Sequence, residues 1–377
     1  MQLLQSYIDG IINNALEEDI HYVDVTTDYL IPDGHTSQAY YVAKDSGVIC
    51  GMAIAARVFE LVGGGVTFTA KVKDGGRVQK GDILAVMEGD TQTLLKGERT
   101  ALNILQHLSG IATATRRCVD LVEGTNAKIT DTRKTLPGLR RLQKYAVTVG
   151  GGYNHRYNLS EGAMLKDNHI DAYGGITAAV TALRKRIGHM TKIEVEVRTL
   201  AELEEALAVG CEIIMLDNMS CETMTEAVKI TAGRALLEAS GNVTAANIAD
   251  VAKTGVDIIS LGALTHSVMC FDISMKFGPV PTALYGGRHE EKDPSARPCG
   301  IAAVPDGVQR PDVHTGGERH RGACRLLRRP RHGGHHAIRH RGSHRRGPVR
   351  QCRRDEQGKA AHRDRAEGDL PRGAQGQ

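Results

Sequence analysis

The chain has 377 residues, enough for two domains with real cores. Its formal net charge of +4 averages two unlike parts: from Gly286 onward 21 Lys and Arg face 11 Asp and Glu, whereas the first 285 residues carry 27 against 33. The overall basicity therefore gives no reason to expect a nucleic-acid partner for the body, and no apolar run approaches the ~18 residues that a membrane-spanning helix needs.

In chain order, residues 1–20 read as an amphipathic helix, with Leu3, Leu4, Ile8, Ile11, Ile12 and Leu16 on one stripe. The same stretch has acids where a signal peptide needs a basic start and an apolar core, so the cytoplasm is the expected compartment. Residues 36–95 change period: QAYYVAKD, GVTFTAKV and DILAVMEG are short, β-rich and separated by Gly or Asp. The run Val72–Asp82 reads as a tight turn of a sheet-rich sandwich; a carrier domain uses similar turns but needs a modifiable Lys at a hairpin tip. Helix returns over 97–123.

From 128 to 265 short apolar strands recur (AKIT, GAMLK, KIEVEV, EIIMLD, RALLEAS, DIISLG), with helical segments at 171–187, 199–209, 221–232 and 244–254. Thr199 with Glu202 suggests a capping box. Strand–helix alternation with buried, non-alternating strands predicts a parallel sheet. The strand ends carry polar groups: Arg133 and Lys134, Lys166 and Asp167, Glu194 and Glu196, Asp217 and Asn218, Glu238 and Ser240, then Gly262. A β/α barrel keeps its active site there. Six strands are visible, so the barrel is either incomplete or takes a strand from elsewhere. The eight cysteines form no C-x-x-C pair and read as buried, reduced thiols.

Three groups of residues carry chemistry. Arg133, Lys134, Arg140, Arg141, His155, Arg156 and Lys166 form a cationic set suited to carboxylates and phosphates. A solvated helix face would repeat every three or four residues, whereas these punctuate strand ends and a Gly-rich turn. Glu194, Glu196 and Asp217 form an acidic set, and in EVEV the two glutamates share a face. Such carboxylates could hold Mg²⁺ or ribose hydroxyls, stabilise an oxocarbenium-like carbon, or simply pair with nearby lysines. Ser240-Gly241-Asn242 and Leu261-Gly262-Ala263 lie in the last two βα loops, where backbone N–H groups approach a phosphate. His169 and His266 lie close enough in sequence to line the same site.

DTRKTLPGLR, GGGYNHRYNLSEGAMLKDNH, EVEV, IMLDNM, EASGNV and LGALTHS resemble the motifs of quinolinate phosphoribosyltransferase (nicotinate-nucleotide pyrophosphorylase, carboxylating). The match runs in order from about residue 3 to 277, with DVTT at 24–27 and GERTALNILQHLSGIAT at 97–113. The resemblance implies an α/β sandwich over 1–110, with 269–280 packing back on it, and an open, incomplete β/α barrel over 111–268, in a homodimer. It implies a Mg²⁺-dependent pentosyl transfer from phosphoribosyl pyrophosphate to quinolinate, releasing carbon dioxide and pyrophosphate and giving nicotinate mononucleotide for NAD biosynthesis. Arg133, His155 and Arg156 would hold the quinolinate carboxylates, joined by Arg99 from the other subunit. Lys134 and Lys166 would bind phosphate and pyrophosphate, Glu196 and Asp217 would serve Mg²⁺ and the ribose, and Ser240, Gly241, Asn242 and Gly262 the 5′-phosphate. Asn242 stands where many members have a second Gly, which leaves the detail of that loop open. A same-fold relative acting on another ring acid or in molybdenum metabolism would alter the carboxylate set, which is intact here; a non-catalytic nucleotide- or RNA-binding protein would have no use for Glu196 and Asp217.

The resemblance stops near Lys276-Phe277. Residues 286–377 hold 19 Arg and no aromatic residue, with His332, His335 and His336 in one cluster. Disorder is expected there, since few apolar groups offset the entropy of ordering. The abrupt start and arginine skew also fit an out-of-frame translation of GC-rich DNA.

Overall fold

The computed structural model describes residues 3–281. The basic stretch 286–377, with its expected disorder, its histidine cluster and its proposed frameshift, lies outside the described residues.

The chain opens with helices α1 (Gln5–Ile20) and α2 (Val25–Leu30). Then come β1 (Thr36–Ala43), β2 (Gly47–Val48), α3 (Met52–Val62), β3 (Val66–Ala70), β4 (Arg77–Val78), β5 (Ile83–Asp90) and the long α4 (Thr91–Leu121). The second half runs β6 (Lys128–Thr130), α5 (Arg140–Val149), β7 (Ala163–Leu165), α6 (Asp167–Tyr173), α7 (Ile176–Arg184) and β8 (Ile193–Val197). It continues α8 (Leu200–Ala208), β9 (Ile213–Asp217), α9 (Cys221–Thr231), β10 (Leu236–Ser240), α10 (Ile248–Lys253), β11 (Ile258–Ser260), α11 (Ala263–His266) and β12 (Ile273–Phe277).

Strands β12-β1-β5-β3 form an antiparallel sheet, and β2 pairs with β4 beside it. The helix α3 is absent from the β-rich reading of 36–95. It buries Ile54, Ala55, Val58 and Phe59, and Asp74 caps it from a distance by accepting the N–H groups of Gly51 and Met52 at 2.9 and 3.0 Å. The Tyr145 hydroxyl of α5 donates to the same carboxylate at 2.8 Å, so the Val72–Asp82 turn is an anchor between the two halves and not a carrier hairpin. Helix α4 starts six residues before the expected position, because the Asp90 side chain accepts the Thr93 N–H at 2.7 Å and closes the first turn. It packs on α3 and β2 on one side and on α5, β6 and α11 on the other.

The six remaining strands are parallel, in the order β6-β11-β10-β9-β8-β7. Strands β6 and β7 are neighbours in sequence but occupy opposite edges, so the barrel is open between them. These strands do alternate, contrary to expectation. Val195, Val197, Ile214, Leu216, Leu237 and Ala239 are buried on one face. Glu194, Glu196, Met215, Asp217, Glu238 and Ser240 share the other by register. A closed barrel would fill that inner face with apolar layers; here it is polar.

The segment expected as one helix over 171–187 is two, broken where Gly174 and Gly175 take φ of +88° and +116°. At α8, Thr199 accepts the Glu202 N–H at 3.2 Å, but Glu202 reaches back to the Arg198 N–H at 2.6 Å, one residue short of a reciprocal box. Cys50 and Cys211 are buried, whereas Cys270 is exposed. Among the described residues no helix is long and apolar enough to cross a membrane.

Candidate active site

Because the six strands are parallel, all their C-terminal ends lie along one edge of the sheet. From β7 to β6 that edge presents Lys166, Glu196, Asp217, Ser240, Gly262 and Arg133. Lys166 precedes α6, its Nζ 3.1 Å from Glu196 Oε2 on the neighbouring strand, and its own N–H donates to His169 Nδ1 at 3.0 Å. Asp217 ends β9 and accepts the Asn218 side-chain N–H at 3.0 Å. Two carboxylates on adjacent strand ends are hard oxygen donors of the kind that would suit Mg²⁺.

The loop after β10 is built around Asn218. Asn242 Nδ2 donates to Asn218 Oδ1 at 2.9 Å, and a Cβ on Gly241 would lie 2.3 Å from that same oxygen. Gly241 has φ +92° and Asn242 φ +53°. Asn tolerates the left-handed region better than other side chains, so it can occupy the place of a second Gly. Across the edge, a Cβ on Gly262 would meet the Lys134 side chain at 2.8 Å, and Thr265 Oγ1 donates to Lys134 O at 2.8 Å. Gly262 thus makes room for Lys134 beside the loop.

Toward the N-terminal ends of the strands lies a cavity of about 640 Å³, lined in part by His155, Arg156, Glu194 and Glu238 and by Ala163, Ile213 and Ile258, the first residues of β7, β9 and β11. His155 Nε2 is 3.1 Å from Glu194 Oε2 and 3.6 Å from Glu238 Oε2, and its Nδ1 accepts the Arg156 N–H at 2.8 Å. Arg156 Nη1 donates to Gly162 O at 2.7 Å. Burial and the charge of Arg133 lower the pKa of the Arg156 guanidinium, with Glu194 opposing them. Arg133 Nε is buried with no hydrogen-bond partner. An unpaired buried guanidinium donor is costly unless an anion meets it.

The His155 backbone is clamped by a pair that the sequence reading passed over. Lys144 and Asp131 form a fully buried ion pair. Lys144 Nζ also donates to His155 O at 2.9 Å, and Asp131 accepts the His155 N–H at 2.9 Å and the Asn154 amide at 2.8 Å. Burial pushes the Asp131 carboxyl up and the Lys144 ammonium down, and each partner's charge opposes that shift. The one available signal is Lys144 itself, a lone cation on the apolar face of α5 between Leu142 and Ala146–Val147.

Two members of the cationic set point elsewhere. Arg140 bonds Thr135 Oγ1 at 2.9 Å and Tyr157 O at 3.0 Å, and Arg141 lies over the Tyr7 ring. Arg140 also reaches Arg133 O at 3.5 Å, so its guanidinium braces the loop after β6. Arg99 stands exposed on α4, and no described hydrogen bond or ion pair joins it to the residues above.

The family models "Quinolinate phosphoribosyl transferase, N-terminal domain" and "C-terminal domain" match residues 24–109 and 111–276. The nicotinate-nucleotide pyrophosphorylase [carboxylating] of Mycobacterium leprae is 45% identical over 270 residues, spanning 70% of this chain and 95% of its own length. Among solved structures, NadC of Streptococcus pyogenes superposes with a TM-score of 0.71 at 44% identity, over 73% of this chain and 98% of its own. The nicotinate-nucleotide pyrophosphorylase of Francisella tularensis gives 0.71 at 36% identity, over 74% and 98%.

Proposed function

The chain belongs to the quinolinate phosphoribosyl transferase family, and from that premise we propose how its strand-edge site carries the reaction. The enzyme transfers the phosphoribosyl group of phosphoribosyl pyrophosphate to quinolinate with decarboxylation, a step of NAD biosynthesis. The observation that carries our assignment of roles is the division of the site. His155 and Arg156 line the cavity, and Arg133, whose charge acts on Arg156, has its buried Nε–H unpaired. Lys166, Glu196, Asp217, Gly241 and Gly262 line the strand ends above.

Arg133, His155 and Arg156 form the dicarboxylate end of the site, with Arg99 reaching in from a second subunit of a homodimer. Lys134 and Lys166 take the pyrophosphate charges, and the Ser240-Gly241-Asn242 loop with Gly262 takes the 5′-phosphate. Glu196 and Asp217 would hold Mg²⁺, which when bound neutralises the leaving pyrophosphate. The same two carboxylates face the sugar carbon as it becomes electron-poor, where fixed negative charge stabilises the transition state.

The quinolinate ring nitrogen forms the bond to the ribose anomeric carbon as the bond to pyrophosphate breaks. The ring nitrogen is then cationic. Loss of the adjacent carboxylate as carbon dioxide leaves its electron pair on the ring carbon next to that nitrogen, and a proton from solvent replaces it. No side-chain nucleophile is required; holding and desolvating the dianion is the protein's part. Purified full-length protein with quinolinate, phosphoribosyl pyrophosphate and Mg²⁺ should release carbon dioxide and nicotinate mononucleotide in equal amounts. Absence of turnover would sink the assignment.

A further inference from the structure

We propose that Thr265 and Gln143 are positioning residues for Lys134: their buried hydrogen bonds fix the exposed loop after β6 against the loop after β11, and so set where the Lys134 ammonium meets the pyrophosphate. The proposal rests on the role given to Lys134 above and deepens it.

Residues 131–139 join β6 to α5 without regular structure. Inside the loop, Lys134 donates its N–H to Thr132 Oγ1 at 3.0 Å and Thr135 donates its own to Arg133 O at 2.9 Å. These bonds shape the loop but do not tie it to the neighbouring strand end. Two side chains with no exposed surface do that from beneath: Gln143 of α5 and Thr265 of α11.

Thr265 Oγ1 lies 2.8 Å from Lys134 O and 3.3 Å from Gly262 O, and its one proton goes to the nearer acceptor. Among the described residues no other donor reaches Lys134 O. Gln143 Oε1 accepts the Leu136 N–H at 2.9 Å, while its Nε2 donates to Thr265 O and to His107 Nε2 on α4, both at 3.0 Å. The amide cannot be turned over, because Leu136 offers only a donor there and Thr265 only an acceptor. His107 Nε2 is therefore the bare ring nitrogen. Burial agrees with a neutral ring, since it lowers the His107 pKa.

An apolar side chain at either position would fill the space without the cost of burying a polar group. What the polar groups add is a hold on the loop backbone at Lys134 O and Leu136 N. Little slack is available. The Lys134 stem crosses Gly262 so closely that a Cβ there would lie 2.8 Å from it. Thr265 also donates its N–H to Gly262 O at 3.1 Å. One turn of α11 thus carries the glycine assigned to the 5′-phosphate and the hydroxyl that anchors Lys134. A slipped loop either drives the lysine stem into that glycine or withdraws the ammonium from the pyrophosphate.

Thr265→Val and Thr265→Ser in the full-length protein separate the hydroxyl from the space it fills. Thr265→Val should weaken phosphoribosyl pyrophosphate about tenfold, read as a calorimetric Kd with Mg²⁺ and as KM, and Thr265→Ser should return both to within about threefold of the parent. The quinolinate KM should move no more than about threefold in Thr265→Val, because Arg133 O is held separately by the Thr135 N–H and by Arg140. Gln143→Met offers Leu136 no acceptor and should weaken the same substrate. A lower melting temperature with the phosphoribosyl pyrophosphate constants unmoved overturns the proposal. So does equal loss in the Val and Ser variants, or equal loss of both substrates. Should Thr265→Val fail to fold, Thr265→Ala against Thr265→Ser isolates the same hydroxyl. In a Lys134→Ala background, Thr265→Val should cost less than about a further twofold in Kd, because the two residues act as one unit. An undiminished tenfold loss there shows that Thr265 acts elsewhere and overturns the proposal. A parent protein that neither binds nor turns over phosphoribosyl pyrophosphate would instead remove the role of Lys134 itself, so the two failures are distinct.

Discussion

Glu238 is a buried carboxyl of the barrel interior. It is 2% exposed, one of its oxygens has no hydrogen-bond partner, and Glu194 stands on the neighbouring inner face. Its folded pKa of about 7 lies above the ordinary 4.5, so the native state holds this proton more tightly than the unfolded chain does. That contribution to stability is complete below about pH 4.5 and is lost as pH rises through 7. Glu238→Gln keeps the shape and cannot titrate. Its melting temperature relative to the parent should therefore climb between pH 5 and pH 8, by at least about 2 °C, as read by calorimetry at fixed ionic strength. A flat or falling difference would refute the assignment of the proton. Asn242 makes a second case. Asn242→Gly gives up the bond to Asn218 but relaxes the left-handed backbone, so stability and the phosphoribosyl pyrophosphate KM should stay within about 1 kcal/mol and about twofold. Asn242→Val should fail on both, because a β-branched residue does not tolerate φ of +53°. At this scale the sequence was partly readable. Arg133, Lys166 and Glu196 stand out because charges rarely end buried strands. Lys144 and Asp131 do not, since nothing in a one-dimensional pattern says that two charges thirteen residues apart will bury each other.

At the scale of elements, α4 joins the halves through hydroxyls as well as apolar packing. Thr113 Oγ1 accepts the Val48 N–H at 2.9 Å and donates to Val48 O at 3.3 Å; Ser109 does the same for Cys50 at 3.0 and 3.3 Å. Both sites are buried, so the helix side chains serve the short strand β2 as a neighbouring strand would. Thr113→Val conserves volume and strands the Val48 N–H without a partner. It should cost about 1–3 kcal/mol and lower the melting temperature by roughly 2–8 °C, with kcat nearly unchanged. A neutral effect in denaturant titration would show that the contact carries no net stability. The six parallel strands are legible because each is a short apolar run closed by Gly or a charge. Helix α3 is hidden inside a β-rich window because Gly51 before it and Gly63 after it look like strand punctuation. The break at Gly174–Gly175 is likewise invisible to a periodicity that resumes in phase on the far side.

For the molecule as a whole, Arg99 is the one proposed site residue that the described fold does not bring beside the others. That side chain lies on α4, exposed and unpaired, while the anion site it is assigned to lies at the strand edge. If the site is completed across a twofold interface, Arg99 of one subunit serves Arg133 of the other. Arg99→Ala and Arg133→Ala should each abolish most turnover alone, because each removes a charged fork from a dianion. Co-expressed in equal amounts, half of the dimers are mixed. A mixed dimer holds one site with both arginines intact and one with neither, so activity should return to about a quarter of the parent value. Were both arginines supplied by the same subunit, every site would still lack one of them and mixing would restore nothing. A steady-state assay on the co-purified, doubly tagged dimer separates these outcomes. In that purified population the intact fraction rises to about one half, so the recovered rate should double relative to the unselected mixture.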